Sequence, residues 1–272
     1  GAIAEEHYVR MIRRLRREKN LKAIVLRVNS GGGNVITSEN IWRELQLAKT
    51  RDSIPLVVSM GGVAASAAYM ISVAGDSIFA EETTLTGSIG VFGMQPTIQE
   101  MLNNKLGIAF DTVLTGQLAA AFSPFQSFTE KERQIIQASV DETYEAFLQK
   151  VAEGRGMTVE EIHEIAQGRV WTGPKAREIG LVDRIGNLDN AIRSAATLAG
   201  IDTYRIVEYP VTRNPFKQFF HQIKNPDQAK KQQQEAFIRE KLGKWYPHYK
   251  FLIEINFSNG PQARLPFIIP FN

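Results

Sequence analysis

The sequence has 272 residues, of which 43% are hydrophobic and 22% charged, the balance of a soluble globular protein rather than a disordered or fibrous one. Its net charge of +3 is too small to indicate nucleic-acid binding. The absence of cysteine excludes disulfides, thiolate metal sites and a cysteine nucleophile, so any nucleophile must be an oxygen or an amine. Because the chain begins with Gly1, we expect it to be a piece of a longer polypeptide.

The first elements alternate between strand and helix patterns. A basic amphipathic helix is predicted over residues 3–17, and a strand covered on both faces over 23–28. A glycine-rich turn at 29–34 then leads into a helix that ends before Pro55. Further strands are predicted at 77–80, 89–93 and 109–114, with a helix around 97–106. This order of elements predicts an α/β domain built from βαβ units.

Residues 57–75 carry no charge and are numerous enough to cross a bilayer as a helix. The stretch is rich in Gly, Ser and Ala, and it lacks the aromatic and basic flanks of a membrane anchor. We therefore predict a buried strand at 56–60, a turn at Gly61–Gly62 and a buried helix in the alanine-rich remainder.

The C-terminal part changes in composition. Capping boxes at Thr129 and Thr158 predict two helix starts before the change. Beyond residue 210 the chain becomes rich in Gln, Lys and aromatic residues. We therefore predict an α/β domain over residues 1–209 and an extension over 210–272 that packs on a neighbouring subunit, with disorder of part of the extension as the alternative.

Ser66 lies where a predicted strand ends in glycines and small residues open a helix. At the first turn of a helix the backbone N–H groups have no intrahelical partner, so an oxyanion that forms there is stabilised. A serine packed in a buried helix would give the same local pattern. The residues around Ser66 therefore leave both interpretations open.

The turn at residues 29–33 follows a neighbouring strand. Since the carboxyl ends of parallel strands share one crevice, we expect this turn to meet Ser66. Glycine N–H groups there can point at a developing oxyanion, because no Cβ stands in the way. A plain turn is the alternative, whereas a phosphate-binding loop is disfavoured because the Lys-Ser/Thr of a P-loop is missing.

Four blocks of the sequence resemble one family. They read KAIVLRVNSGGG, VVSMGGVAASAAY, TLTGSIGVFG and GRVWTGPKAREIGLVDRIG. In this order they are similar to signal peptide peptidase A (protease IV), a membrane-anchored bacterial serine protease. The resemblance implies a ClpP/crotonase-like α/β fold of repeated β-β-α units arranged as a superhelix. The tail, including LGKWYPHYKFLIEI, resembles the C-terminal half of the long, two-half form, particularly as found in Bacteroidota.

The resemblance assigns roles to five positions. Ser66 matches the nucleophile, and Ser88 matches the serine that orients the catalytic lysine. Gly33 and the N–H of Ala67 match the oxyanion hole, with Gly32 as a further candidate. The family uses a Ser-Lys dyad, in which an unprotonated lysine is the general base. Burial lowers the pKa of such a lysine because it disfavours the ammonium form.

The catalytic lysine itself is missing. The family's lysine segment aligns with residues 114–120, and the matching position is Ala119. In the long form, the resemblance implies, the lysine comes from the N-terminal half while the C-terminal half keeps the serine. An engineered substitution or a natural pseudoenzyme would look the same. Gly31 stands where the family usually has a proline, and Ala67–Ala68 where it usually has two glycines. Neither difference removes a required backbone N–H group, so both bear on substrate preference.

The resemblance also implies the setting. We expect cleaved signal peptides as substrates, the N-terminal half as partner, and a ring such as a tetramer of full-length chains. An anchor upstream of Gly1 would hold the domain on the extracytoplasmic side of the bacterial inner membrane. No cofactor, metal or nucleic acid is expected. The alternatives are an inactive pseudopeptidase or scaffold and an acyl-CoA enzyme of the crotonase type, which would need paired glutamates near the site.

The four histidines follow no catalytic or metal-binding motif, so we predict surface or packing roles for them. They are His7, His163, His221 and His248.

Overall fold

A computed structural model of the chain describes residues 5–116, 118–119, 121, 123–210, 235, 237–246, 249–250 and 262–264. The chain divides into two compact units, Gly1–Asp202 together with Asn259–Asn272, and Thr203–Ser258. The predicted division at residue 210 stays a prediction.

A mixed sheet forms the centre of the first unit. Its strands are β1 (Ile24–Ser30), β3 (Leu56–Ala65), β4 (Ser77–Ala80), β5 (Leu85–Gly87), β6 (Val170–Thr172) and β7 (Arg184–Ile185). The order runs β6-β5-β3-β4-β7, and β1 also pairs with β3. Every pairing is parallel except that of β5 with β6. A separate pair joins β2 (Gly32–Asn34) to β8 (Gln262–Arg264) in antiparallel register.

Helices connect these strands. They are α1 (Glu5–Leu15), α2 (Val35–Thr50), α3 (Ala67–Ser72), α4 (Gln99–Met101), α5 (Glu130–Arg155), α6 (Val159–Ile165), α7 (Gly173–Glu178) and α8 (Leu188–Leu198). The predicted βαβ unit is present, because β1 and β3 are parallel neighbours joined through α2. The predicted helix around 97–106 is the short α4 followed by a π-helical turn at Leu102–Leu106.

The central strand β3 is buried on both faces. Val58 packs in the main core with Met70 and Phe147, on the side of α3 and α5. Val57 points the other way and packs against Ala191 of α8. Because successive side chains of a strand point to opposite faces, one strand anchors both layers of the core. This burial fixes the position of the residues at the C-terminal end of β3.

Three predicted local elements differ from the structure. No turn forms at Gly61–Gly62, since β3 runs through both residues, and a Cβ on Gly61 would meet the Asn29 side chain at 2.9 Å. The strand predicted at 89–93 lies earlier, at β5, because Ser88 leaves the sheet with φ 47°. No strand forms at 109–114, where Phe110 is 52% exposed. Apolar runs alone therefore misplaced these strands.

Several arginines of the predicted N-terminal helix form ion pairs with acidic residues of this chain. Arg13 and Arg16 both donate to Glu44 of α2, each at 2.7 Å, and Glu44 is only 4% exposed. Arg10 forms an ion pair with Glu6 on α1 itself. The two ion pairs with Glu44 connect α1 and the residue just after it to α2.

The uncharged stretch 57–75 divides into a buried strand and a buried helix as predicted, but the strand continues to Ala65 and the helix begins only at Ala67. Among the described residues, no helix combines the length and the apolarity that a bilayer crossing requires.

The second unit is described only in part. It contains a 3₁₀ turn at Gly243–Trp245, and the Tyr246 hydroxyl donates to Glu235 at 2.7 Å. Most of residues 210–272 lie outside the described residues, so the packing of this extension on a neighbouring subunit stays a prediction.

Candidate active site

Ser66 joins the end of β3 to the start of α3. Its backbone has φ 57° and ψ −122°, a conformation that costs energy for any residue with a Cβ. Two hydrogen bonds hold this conformation: the Ser66 N–H donates to the carbonyl of Gly87 at 2.8 Å, and the N–H of Met70 donates to the Ser66 carbonyl at 2.9 Å. The sharp turn between strand and helix places Ser66 at the end of β3, in an arrangement similar to the strand-to-helix turn called a nucleophile elbow in α/β-hydrolases.

The Ser66 hydroxyl is buried without a partner. The residue is 0% exposed, and its Oγ has no hydrogen-bond partner among the described residues. Leaving a buried hydroxyl unsatisfied costs about 1–3 kcal/mol. Ser72, six residues further on and equally buried, instead donates its Oγ to the carbonyl of Ala68 at 2.8 Å. The Ser66 hydroxyl therefore contributes no hydrogen bond to the fold of the described chain.

Ser88 lies beside this turn. It follows Gly87, the residue that accepts from the Ser66 N–H, so the two serines stand on adjacent, hydrogen-bonded turns. Ser88 is 2% exposed, and like Ser66 it has a positive φ, 47°. Its own N–H donates to the carbonyl of Arg169 at 2.7 Å. The structure thus brings together the two serines that the resemblance selected.

A cavity of about 400 Å³ opens next to Ser88. The described residues that line it are Ser88, Gly90, Val91, Phe92, Gln137, Val140, Asp141, Tyr144, Gln167 and Gly168. Aliphatic and aromatic side chains form much of its wall, and Asp141 supplies a carboxylate. The lining contains no lysine and no glutamate.

The predicted oxyanion residues lie on β2 and α3, two elements that contact each other. Ala67 is the first residue of α3, where the backbone N–H has no partner within the helix. Gly33 lies in β2, and a Cβ at this position would meet no atom of the described residues within 4 Å. Gly32 has φ 110°, which favours glycine. The space beside Gly33 is therefore open to a ligand.

The pairing of β2 with β8 was not predicted. Gly33 stands opposite Ala263, and Gly32 opposite Arg264. β8 also contacts α3, the helix that starts after Ser66. A short piece of the C-terminal region therefore lies against the strand that carries the candidate oxyanion hole.

Ala119 occupies the position that matches the family's catalytic lysine. It is exposed and sits in a turn in which its N–H donates to the carbonyl of Gly116 at 3.1 Å. An alanine side chain carries no base. The described site therefore holds a serine hydroxyl and candidate oxyanion donors. The described residues that line the cavity beside Ser88 supply no lysine amine.

One group of residues near Ser88 was missed in the sequence. Tyr144 of α5, His163 of α6 and Gln167 form a hydrogen-bonded cluster at one side of the cavity. Burial raises the pKa of Tyr144 above its usual value, and the N–H of Gln167 and the charge of Arg169 oppose that rise. The three residues come from separate elements, so no local sequence pattern links them.

The fold and the site define a class of protein: an α/β domain with a strained, buried serine beside candidate oxyanion donors. Comparison with family models agrees with this. The family described as "Peptidase family S49" matches residues 48–202, more than half of the chain. The family described as "Clp protease" matches residues 2–84 and bears out the predicted ClpP/crotonase-like fold. The chain belongs to peptidase family S49, the family of signal peptide peptidase A.

Individual relatives agree with the family assignment. Protease 4 of Salmonella typhi is 42% identical over 209 residues, which cover 77% of this chain and 33% of that protein. The chloroplastic serine protease SPPA of Arabidopsis thaliana is 38% identical over 203 residues, covering 74% and 29%. Protease 4 of Haemophilus influenzae is 39% identical over 191 residues, covering 70% and 30%. The chain thus spans about a third of the length of these relatives.

A solved structure is also similar. A point mutant of ClpP1 from Listeria monocytogenes superposes with a TM-score of 0.47 at 18% identity, covering 69% of this chain and 86% of that chain.

Proposed function

We propose that this chain is the serine-bearing half of a peptidase that cleaves remnant signal peptides, with Ser66 as the nucleophile. The observation that carries the proposal is the Ser66 hydroxyl, which is buried, has no partner among the described residues and stands on a backbone with positive φ. Such a costly arrangement persists where function requires it. Membership of a peptidase family supplies the reaction class.

In the proposed reaction, Ser66 Oγ attacks the carbonyl carbon of the scissile peptide bond. Its proton passes to a neutral lysine amine, and the oxygen of the tetrahedral intermediate accepts hydrogen bonds from the N–H groups of Gly33 and Ala67. The intermediate collapses, the C–N bond breaks, and the lysine returns the proton to the leaving amine. Water, deprotonated by the same lysine, then hydrolyses the acyl-serine and regenerates Ser66.

The lysine would come from a homologous half of the same protein. Ala119 occupies the matching position here, and the described residues that line the cavity beside Ser88 include no lysine. The chain also covers only 33% of Protease 4 of Salmonella typhi, which leaves ample length for a second half. Ser88 would hold the incoming amine with its hydroxyl. We further propose a ring of full-length chains, anchored in the bacterial inner membrane upstream of this domain, with the site on the extracytoplasmic side.

The peptide substrate would add to β2 as an extended strand. An exposed strand edge binds peptides through main-chain hydrogen bonds, which suits substrates of varied sequence. β8 already occupies an edge of β2. A peptide that binds at that edge must therefore displace residues 262–264.

A complementation assay tests the proposal. A fluorogenic signal peptide is incubated with this chain alone, with the lysine-bearing half alone, and with the full-length protein. We expect turnover only by the full-length protein, or by the two halves mixed, because neither half alone holds both members of the dyad. Turnover by the isolated chain at the full-length rate would contradict the split dyad.

An inactive pseudopeptidase is the second candidate, since Ala119 removes the family's base from this chain. It predicts no turnover in any of these mixtures. The crotonase-type alternative would need paired glutamates near Ser66 or Gly33, and thioester turnover without acylation of Ser66 would favour it.

A further inference from the structure

Two backbone hydrogen bonds join the turn at Ser88 to a second turn, at residues 167–169. The Ser88 N–H donates to the carbonyl of Arg169 at 2.7 Å, and the N–H of Gly168 donates to the carbonyl of Ile89 at 2.9 Å. The two turns are also in close contact, because a Cβ on Gly90 would stand 3.1 Å from the backbone of Gly168. The backbone of Ser88 therefore follows any movement of the 167–169 turn.

The 167–169 turn is itself strained, since Gln167 has φ 57°. Side chains of two helices hold it. The Gln167 N–H donates to the hydroxyl of Tyr144 at 3.2 Å, and the Gln167 amide nitrogen lies 3.2 Å from Nε2 of His163. Nδ1 of His163 lies 3.2 Å from the Tyr144 hydroxyl, which closes the cluster. A strained turn keeps its conformation only when its surroundings fix it, and here Tyr144 and His163 provide that support.

We infer that Tyr144 and His163 are positioning residues of the peptidase site, which act through Gln167 on the backbone of Ser88. Neither side chain touches the reacting atoms. The inference rests on the proposed function, in which the Ser88 hydroxyl orients the lysine amine. It assigns a role to a histidine that the sequence patterns leave as a surface or packing residue.

The physical consequence concerns the transition state more than substrate binding. A shift of Ser88 moves the amine relative to Ser66 Oγ, whereas the strand β2, at which we propose that the peptide binds, is left in place. Misplacing a catalytic group by about 1 Å can cost about a hundredfold in rate. Loss of the cluster should therefore lower kcat and leave KM unchanged.

Two substitutions of the full-length protein test the inference. Tyr144→Phe removes the hydroxyl that accepts from Gln167 and keeps the ring that walls the cavity. His163→Leu removes both ring nitrogens, whereas His163→Asn keeps a polar group near the position of Nδ1. We expect Tyr144→Phe and His163→Leu to lower kcat roughly tenfold to a hundredfold with KM unchanged, and His163→Asn to recover most of that loss.

Thr158→Ala is the matched control, because it removes the side-chain cap of α6 and leaves all three members of the cluster in place. It should lower the thermal midpoint without lowering kcat. The inference is overturned if Tyr144→Phe and His163→Leu keep the full kcat, or if Thr158→Ala lowers kcat as much as they do. Ser66→Ala separates the two claims. If that variant stays active, the proposed function fails and the inference with it, whereas an inactive Ser66→Ala beside a fully active Tyr144→Phe removes the inference alone.

Discussion

Four helices of this domain start in two contrasting ways, whereas α7 follows Thr172, whose backbone is extended but whose side chain makes no capping hydrogen bond. Thr129, Thr158 and Asn187 precede α5, α6 and α8 with an extended backbone, and each side-chain oxygen accepts a backbone N–H of the first turn. Ser66 precedes α3 with φ 57°, and its side chain makes no capping hydrogen bond. Ser, Thr and Asn are all favoured at this position because they can cap. Ser66 alone among these four does not.

We interpret this difference as one between residues that stabilise the fold and a residue that we propose as the nucleophile. At the three capped starts, local sequence preference and the observed structure agree, as they do in most of a stable protein. At Ser66 they disagree twice, in the backbone conformation and in the unpartnered hydroxyl. The burial of β3 on both faces provides the packing that keeps this unfavourable arrangement in place.

Substitution of the two buried serines, Ser66 and Ser72, should give the largest effects, and these effects should be opposite in kind. Ser66→Ala should lower peptidase activity by at least about 10³-fold, yet leave the free energy of unfolding unchanged or raise it, because the unsatisfied hydroxyl is gone. Ser72→Ala should do the opposite, keeping activity and losing roughly 0.5–1.5 kcal/mol with its hydrogen bond. Peptide-cleavage assays and urea denaturation measure both. A Ser66→Ala variant that is active or markedly destabilised would contradict the account.

Glycine substitutions give the next effect. Gly33→Ala places a methyl group in a space that no described atom occupies, so stability should hold while kcat/KM falls by about tenfold or more. In Gly173→Ala the new Cβ would stand 2.1 Å from the carbonyl oxygen of Glu81, so that variant should lose stability. Thermal unfolding and kinetics of the two variants check this. Equal effects of both on stability would show that the space beside Gly33 is filled.

A smaller effect is expected at a capped helix start. Thr129→Ala removes the side chain that accepts from the N–H of Glu132 and should cost about 1 kcal/mol. Labelling of Ser66 in the full-length protein by a serine-directed probe should proceed at the wild-type rate, because the side chain of Thr129 bonds within the first turn of α5. Chemical denaturation gives the stability, and loss of labelling would argue against a purely structural role.

The smallest effect depends on pH. The N–H and hydroxyl of Thr129 hold the pKa of Glu132 below its usual value. A carboxylate with a lowered pKa in the folded state stabilises the protein above its unfolded pKa, about 4.3, and loses that contribution as pH falls through the folded value. The stability difference between wild type and Glu132→Gln should therefore shrink below about pH 4. Denaturation curves across pH 3–7 would reveal a constant difference if this is wrong.

Sequence patterns predicted the features that depend on neighbouring residues. The capping boxes at Thr129 and Thr158 are confirmed, because each requires only residues three apart in the chain. The strand predicted at 89–93 is wrong, since the turn at Ser88 is set by a hydrogen bond to Arg169, far along the sequence. The pairing of β8 with β2 is equally non-local. The resemblance selected Ser66 and Ser88, but their strained backbones and the unpartnered Oγ became visible only in three dimensions.

Covalent labelling of Ser66 tests the central claim most directly. A fluorophosphonate probe is applied to the isolated chain and to the full-length protein, and mass spectrometry locates the adduct, with Ser66→Ala as the blank. If the dyad is split between the two halves, we expect an adduct on Ser66 in the full-length protein and none on the isolated chain. Absence of the adduct from both would make this half a pseudopeptidase, and labelling of the isolated chain would mean that the general base lies within these residues.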